Sequence, residues 1–307
     1  MISIVIPHRG TTQCLIKSLE AIARQTVKPK EVIIVHDSLE KLKVELRKYE
    51  FSLKVVELGA HFGVSAARNR GLAEVTSEYV LFLDSDILLN PLSLELSLKL
   101  IKRYDILTSF PDLETHFDNF ASKYQNTYLF WLFSKFDNAF IDFAYGGFIL
   151  TSKADCLKFN PDFIAAEDSE WGKRSIESGK KIHLNSSIKI SHYKKYKILS
   201  LLLYYFKISR GFAKLLLNSN KKENKYKSHI QTHQMFSMIA TLFWLVYFII
   251  NWKIACFLIL FVIYLNLKRL NFYRLVHGNA FFFKAILMII CENVFRIFGA
   301  SSVLLFK

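Results

Sequence analysis

Asp84-Ser85-Asp86 follows the apolar run Tyr79-Val80-Leu81-Phe82-Leu83. Two carboxylates one residue apart, at the end of a buried strand, form a pincer for a hard divalent cation. Such a cation takes oxygen ligands and is commonly shared with the phosphates of a substrate. In open α/β sheets, ligands bind outside the carboxyl ends of the strands, and a strand over Tyr79–Leu83 puts Asp84 and Asp86 at that edge. Taken alone, the triplet fits an Asp-rich turn capping the next helix equally well. A second acidic pair, Glu167-Asp168, heads a helical pattern, where capping and the helix dipole would by themselves explain it. Between these lie a carboxylate closing another apolar run (Asp37, after Glu31–Val35 and His36), Arg68 within Gly63-Val64-Ser65-Ala66-Ala67-Arg68-Asn69-Arg70-Gly71, and the pair Gly146-Gly147.

Positioning these residues requires a regular scaffold, and the first half of the chain supplies one. Strands are expected over Ser3–Ile6, Glu31–Val35, Leu53–Glu57, Tyr79–Leu83 and Ile106–Phe110. Helical spacing of apolar residues marks Gln13–Gln25, Glu40–Lys48, Ser65–Val75 and Leu92–Arg103. This alternation, with near-continuous apolar strands, argues a parallel sheet covered on both faces. Beyond Pro111 the rhythm breaks. Thr115–Lys135 is aromatic and mixed, Gly146–Leu150 reads as a strand whose glycines permit close backbone approach, and Asp168–Ser178 reads as a helix stopped by Gly179.

After His192 the character changes. Tyr196–Leu217 has helical period with Lys207, Arg210 and Lys214 on one face and Ile198, Leu201, Leu202, Tyr205, Ile208 and Phe212 largely on the other, the pattern of a helix lying in a membrane interface. Residues 218–229 read as a lysine-rich linker. Two apolar runs, Met235–Ile250 and Ile254–Leu267, are broken at Asn251-Trp252-Lys253. Each falls short of the ~20 residues a spanning helix needs, although the first can extend at both ends. Basic residues before and after the pair (Lys221, Lys222, Lys225, Lys227; Lys268, Arg269, Arg274) favour a hairpin with both ends on the cytoplasmic side. A re-entrant or interfacial pair remains the alternative. Ala280–Phe298, carrying Lys284, Glu292 and Arg296, reads as interfacial. The expected organisation is a catalytic domain over 1–195, an interface helix and linker over 196–230, and membrane-associated helices over 231–307, with the hairpin at 232–267 and the interfacial helix at 280–298.

The chain has 307 residues, a hydrophobic fraction of 52% and a formal net charge of +15. That charge points to an anionic partner. Nucleic acid ranks lowest, because much of the excess lies beside apolar helices rather than on an aromatic-interleaved polar face; an anionic membrane surface and phosphorylated substrates rank above it. The four cysteines, Cys14, Cys156, Cys256 and Cys291, show no metal-type spacing and are expected as reduced thiols. The opening Met1–Pro7 is too short for a signal-peptide core and reads as a first strand. The catalytic domain is therefore expected on the cytoplasmic face of a cell inner membrane.

The five features, in this order and spacing, strongly resemble the family 2 glycosyltransferases from Ile2 to His192. The resemblance implies a GT-A fold (a Rossmann-like mixed sheet) and inverting transfer of a sugar from a nucleotide-sugar donor, UDP-linked first among the options. By the same resemblance, Asp37 accepts from a ring N–H of the nucleobase, although His36 stands where another Asp is common. Pro7 begins the first loop, and His8-Arg9 replaces the usual polar-aromatic pair, with Arg9 near the donor phosphates. Arg68 is implied near the nucleoside and diphosphate, and Ser85 and Gly147 in the donor site. Asp84 and Asp86 match the metal motif for Mg²⁺ or Mn²⁺, with Asp86 the direct ligand. Asp168 matches the base, with Glu167 beside it. His192 is implied at the metal or diphosphate and Arg210 at the diphosphate, although a lone His is more often structural and lipid headgroups would equally attract Arg210.

Inversion needs one carboxylate to take the proton of the acceptor hydroxyl as its oxygen attacks the anomeric carbon. A divalent cation neutralises charge on the departing diphosphate. The expected acceptor is a lipid-linked or cell-surface glycan. The alternatives are a polyprenyl phosphate acceptor, whose oxygen is already anionic, and a non-catalytic nucleotide-sugar-binding scaffold.

Overall fold

The computed structural model describes residues 1–10, 12–43, 48–218 and 232–305. They form two compact units, one of Met1–Phe117 with Phe133–Lys194, the other of Asp118–Leu132 with Lys195–Lys307. The division differs from expectation in two ways. Asp118–Leu132, expected within the catalytic domain, belongs with the C-terminal helices. The interface helix and the membrane-associated helices, expected as separate parts, form one unit.

In the first unit, β1 (Ile2–His8), β2 (Glu31–His36), β3 (Ser52–Glu57) and β4 (Tyr79–Leu83) run parallel in the spatial order β3-β2-β1-β4. Ile4, Val5, Ile6 and Val32–Val35 are fully buried, as β-branched runs covered on both faces require. The sheet is mixed rather than wholly parallel. Past β4 come β8, β6, β9 and β7, with β8 (Phe148–Ser152) antiparallel to both β4 and β6 (Ile106–Thr108). β9 (Ile182–Leu184) is parallel to β6, and β7 (Ala139–Ile141) is antiparallel to β9. A separate two-stranded ribbon pairs β5 (Ile87–Leu89) with β10 (Ile190–His192).

The helices of this unit are α1 (Thr12–Ala23), α2 (Val64–Glu74), α3 (Ser93–Leu100) and α5 (Glu167–Glu177). The small residues of α2 have a steric cause, since a Cβ on Gly71 would overlap the side chain of Val5 on β1. The helix expected over 40–48 does not form in residues 40–43 or at Lys48, while 44–47 lie outside the described residues. Local hydrogen bonds hold the chain differently there: the Glu40 carbonyl lies 2.9 Å from His36 Nε2, and the Leu42 amide donates to Glu57 at 3.0 Å.

The second unit is helical, built from α4 (Phe120–Phe133, except its last residue), α6 (Ile198–Asn218), α7 (Thr232–Ile250), α8 (Trp252–Leu265), α9 (Leu267–His277) and α10 (Asn279–Leu305). Of the linker expected over 218–229, Asn218 ends α6 and residues 219–229 lie outside the described residues. The apolar face of α6 is not free for lipid as expected. Leu201, Leu202, Tyr205 and Phe212 are buried, and α6 packs on α10 so closely that a Cβ on Gly299 would overlap the Phe206 carbonyl. Ile198, Leu199, Leu203 and Tyr204 remain exposed, as do Lys207 and Arg210.

The side chain of Asn251 caps α8 and separates it from α7. At 19 residues, α7 is long and apolar enough to cross a membrane. At 14 residues, α8 is not, and it meets α9 at a 64° bend. Two of the three charges of α10, Glu292 and Arg296, point inward rather than to an interface, while Lys284 is exposed. Buried Glu292 accepts from the Tyr124 hydroxyl (2.6 Å), Arg269 Nη2 (2.8 Å) and Arg296 Nε (2.9 Å).

Candidate active site

β4 ends at Leu83, and the chain turns at once. The Asp84 amide donates to the Gly147 carbonyl at 3.3 Å, and the Ile87 amide to the Asp84 carbonyl at 3.0 Å. Asp84, Ser85 and Asp86 are therefore presented, half-buried, at the carboxyl edge of the sheet. The carboxyl ends of β1 and β2 lie alongside, carrying Pro7, His8, His36 and Asp37. Gly147 permits the close approach, because a Cβ there would meet the Tyr145 ring at 2.5 Å.

Arg68 joins the distant motifs. Its side chain is 1% exposed. Nη2 donates to Asp84 Oδ1 and to the Gly146 carbonyl, both at 3.0 Å, while Nη1 donates to Glu167 Oε1 at 3.0 Å. The guanidinium also stacks over Phe159, 5.0 Å from the ring centroid. Arg68 thus grips carboxylates in this structure, where the resemblance implied a group near the diphosphate. Asp168 lies next to this knot. Its Oδ2 accepts from the Gly146 amide at 2.9 Å and its Oδ1 from the Ser169 amide at 2.7 Å. A Cβ on Gly146 would lie 3.0 Å from Asp168 Oδ2, a tight contact that glycine avoids as its amide approaches the carboxylate. Ala166, just before the acidic pair, has φ 61°, a left-handed conformation unfavourable for a residue with a Cβ.

Asp86 has a different set of neighbours. The ribbon register places His192 opposite Ile87, and the Tyr193 amide donates to the Asp86 carbonyl at 2.7 Å. His192 Nε2 lies 3.4 Å from Asp86 Oδ1, and Lys194 Nζ lies 3.2 Å from Oδ2. The acidic groups diverge electrostatically as a result. Burial pushes the Asp84, Glu167 and Asp168 carboxyls up, against the pull of Arg68. Burial acts on Asp86 too, but Lys194 and His192 outweigh it and hold that carboxyl below the usual range. One carboxylate is firmly ionised and another retains affinity for a proton, a separation suited to dividing metal binding from base chemistry.

Asp37 is tied locally. It accepts from the Phe62 amide (2.6 Å), the Gly63 amide (2.9 Å) and His61 Nδ1 (2.7 Å), and His61 Nε2 in turn lies 2.5 Å from exposed Arg9. Both Asp37 oxygens thus secure the entry to α2, the helix that carries Arg68. Pro7 and Arg9 flank His8, which is buried against His36 with ring centroids 5.5 Å apart. Neither ring nitrogen of His8 has a hydrogen-bond partner among the described residues. Burial first, and then the neighbouring His36, push its pKa down to about 4, so the imidazole is neutral at physiological pH. A buried unpaired donor and acceptor at the carboxyl end of β1 are what a bound ligand would satisfy.

Among the described residues, no three His, Cys, Asp or Glu side chains converge into a ready-made metal cage. Hard divalent cations do not need one where substrate phosphates and water complete the shell. The 3.4 Å between Asp86 Oδ1 and His192 Nε2 is near the roughly 3 Å that separates adjacent ligands of a small octahedral cation, so these two donors fit such an ion.

Asp84, Arg68, Gly146, Glu167 and Asp168 are therefore linked directly, with Asp86 and His192 one turn away. Arg210 lies on α6, in the helical unit. Sequence reasoning missed Lys194, His61 and the backbone of Ala166. Only the pairing of two three-residue strands, too short to carry a periodic signal, puts Lys194 beside Asp86.

Comparison with known proteins bears on the family and the fold. The chain is 32% identical over 124 residues to an uncharacterized glycosyltransferase, YwdF, of Bacillus subtilis, covering 40% of this chain and 46% of that protein. It is also 32% identical over 90 residues to the cholesterol galactosyltransferase of Borreliella burgdorferi, covering 28% and 25% of the two chains. The chain thus spans less than half the length of these curated relatives. Among solved structures, the mannosyltransferase PcManGT of Pyrobaculum calidifontis in complex with GDP-Man and Mn²⁺ is similar over 99% of this chain and 86% of its own, with a TM-score of 0.59 at 12% identity. S. aureus TarS 1-349 in complex with UDP is similar over 72% and 67%, with a TM-score of 0.51 at 19% identity. At such identities the likeness speaks for the GT-A fold alone. Residues 3–158, half of the chain, match Glycosyl transferase family 2, and the chain is a member of that family.

Proposed function

We propose that the chain transfers a sugar, with inversion, from a nucleotide-sugar to a hydroxyl of a lipid-linked or cell-surface glycan. The observation that carries this reading is the Arg68 knot, which draws Asp84, Gly146 and Glu167 together next to Asp168 at the carboxyl edge of the sheet. Asp168 takes the proton of the attacking hydroxyl. Its raised proton affinity suits it to that task, and the Gly146 and Ser169 amides fix its orientation. Glu167, held by Arg68, keeps the helix start in place. Asp86 and His192 hold Mg²⁺ or Mn²⁺, which when bound neutralises charge on the departing nucleoside diphosphate. His8 and Arg9 line the donor side, and Asp37 either meets the base or shapes the loop that does.

The membrane reading is part of the same proposal. α7 buries Gln234, Ser237 and Thr241 while exposing Phe236, Ile239, Leu242, Phe243 and Val246. Polar groups inside and large apolar groups outside are what a lipid solvent selects. Together with Lys207 and Arg210, exposed on α6, this supports an enzyme working at the cytoplasmic face of a membrane.

The test is thermal stability with a panel of UDP-, GDP- and dTDP-sugars, with and without Mn²⁺. One donor class is expected to stabilise the protein only with the metal, by about 2.7 kcal/mol at a hundredfold excess over Kd. A flat response across the whole panel would sink the proposal.

A further inference from the structure

Lys194 has no role in the reading above, yet it shares Asp86 with His192. Its Nζ lies 3.2 Å from Asp86 Oδ2, the oxygen that His192 leaves open. The main chain beside it is pinned: the Tyr193 amide donates to the Asp86 carbonyl at 2.7 Å, and Cys14 Sγ donates to the Tyr193 carbonyl at 3.4 Å. The Lys194 side chain is half-exposed, at 49%, so the ammonium can swing while its backbone stays in place.

We propose that Lys194 is a tethered counter-cation, which neutralises Asp86 before the donor arrives and contacts the donor's diphosphate once a divalent cation occupies Asp86. The inference rests on the nucleotide-sugar reading of this site. An ammonium and a divalent cation repel each other and cannot share one carboxylate without cost. A cation entering at Asp86 and His192 must displace Lys194. The anion then nearest to the displaced ammonium is the diphosphate bound to that same cation. A charge-assisted hydrogen bond from Nζ to a diphosphate oxygen would offset the one lost at Asp86. Lys194 thus opposes the metal when it comes alone and favours the metal together with nucleotide.

The test follows from these opposite signs. MnCl₂ alone, and then UDP and GDP at saturating Mn²⁺, are titrated calorimetrically into the full chain and into Lys194→Met. The variant is expected to bind Mn²⁺ about two- to fivefold more tightly and nucleoside diphosphate about tenfold more weakly. Lys194→Arg should recover most of the nucleotide affinity. A lysine serving only local structure would move both affinities the same way or neither. Unchanged or weaker Mn²⁺ binding in the Met variant, or unchanged nucleotide binding, overturns the proposal while leaving the wider reading intact. Failure of the unsubstituted chain to bind both Mn²⁺ and nucleotide overturns the two together.

Discussion

Both units bury arginine among carboxylates and aromatic rings, but in opposite proportion. In the α/β unit one guanidinium, Arg68, bonds Asp84 and Glu167 and acts on Asp168 nearby, so carboxylates outnumber it. In the helical unit Glu292 stands alone between Arg269 and Arg296, and the Tyr124 hydroxyl adds a further donor. A carboxylate with surplus donors has nothing left to do but hold helices together. Carboxylates short of donors keep their affinity for protons, which makes buried acidic clusters candidates for chemistry. The burial patterns are reversed as well. The α/β unit hides Ile4, Val5, Ile6 and Val32–Val35, whereas α7 hides Gln234, Ser237 and Thr241 and exposes its phenylalanines. On the membrane reading proposed above, one unit is organised for water outside and the other for something apolar.

The sharpest way to break the contrast is to neutralise one member of each cluster. Asp168→Asn keeps the shape and removes the base, so transfer to a hydroxyl acceptor should fall by about 10²–10⁴-fold while donor binding survives. Nucleoside diphosphate release in the presence of acceptor measures this. Full activity with a polyprenyl monophosphate in the same variant would favour that acceptor instead, because its oxygen needs no deprotonation. Acid should mimic the substitution. Since the Asp168 pKa is raised, the rate should decline as pH falls through it, at a higher pH than an ordinary aspartate would show.

Glu292→Gln should do the reverse. It leaves Arg269 and Arg296 buried without their counter-charge, at a cost of about 3–5 kcal/mol. Unfolding in mild detergent should register the loss, and the metal-dependent donor shift should persist at temperatures where the variant stays folded. A neutral outcome for Glu292→Gln would remove the distinction between a structural knot and a poised one.

Much of the α/β unit was legible in the sequence because its strands are covered on both faces. Tyr79–Leu83 is found with the bounds expected, and the acidic residues at its end follow from those bounds. The helical unit was less legible for a physical reason. Periodicity in Tyr196–Leu217 shows that one face is buried but not by what, and the partner proved to be α10. Likewise, Glu292 reads as an interfacial charge because its partners Tyr124 and Arg269 lie 168 and 23 residues away. In the active site, the acidic pairs were visible as motifs. The grip of Arg68 on them was not, because a side chain's direction depends on how closely its helix approaches the sheet.

The outward face of α7 tests the second half of the comparison. Val246 is exposed. In a lipid environment Val246→Lys would cost about 2.5–3.5 kcal/mol, whereas at a surface facing water such a change usually stays within about 0.5 kcal/mol. The share of protein recovered with membranes should drop in the variant, and an unchanged share would leave the exposed phenylalanines without an explanation in lipid.

The smallest effect is expected at Ala166, where the α/β unit stores strain beside its acidic pair. A left-handed conformation costs a residue with a Cβ about 1–2 kcal/mol, and Ala166 adopts it at φ 61° immediately before Glu167. Ala166→Gly relieves that cost but frees the unfolded chain, so the net gain should be under about 1 kcal/mol, or no more than about 2–4 °C in Tm. If the strain serves to fix the start of α5, the same variant should turn over several-fold more slowly, because Glu167 and Asp168 gain freedom relative to Arg68 and the Gly146 amide. Greater stability with undiminished turnover would mean that the tight turn is only a by-product of packing. The surplus of acidic groups over Arg68 would then be enough to distinguish this cluster from the one around Glu292.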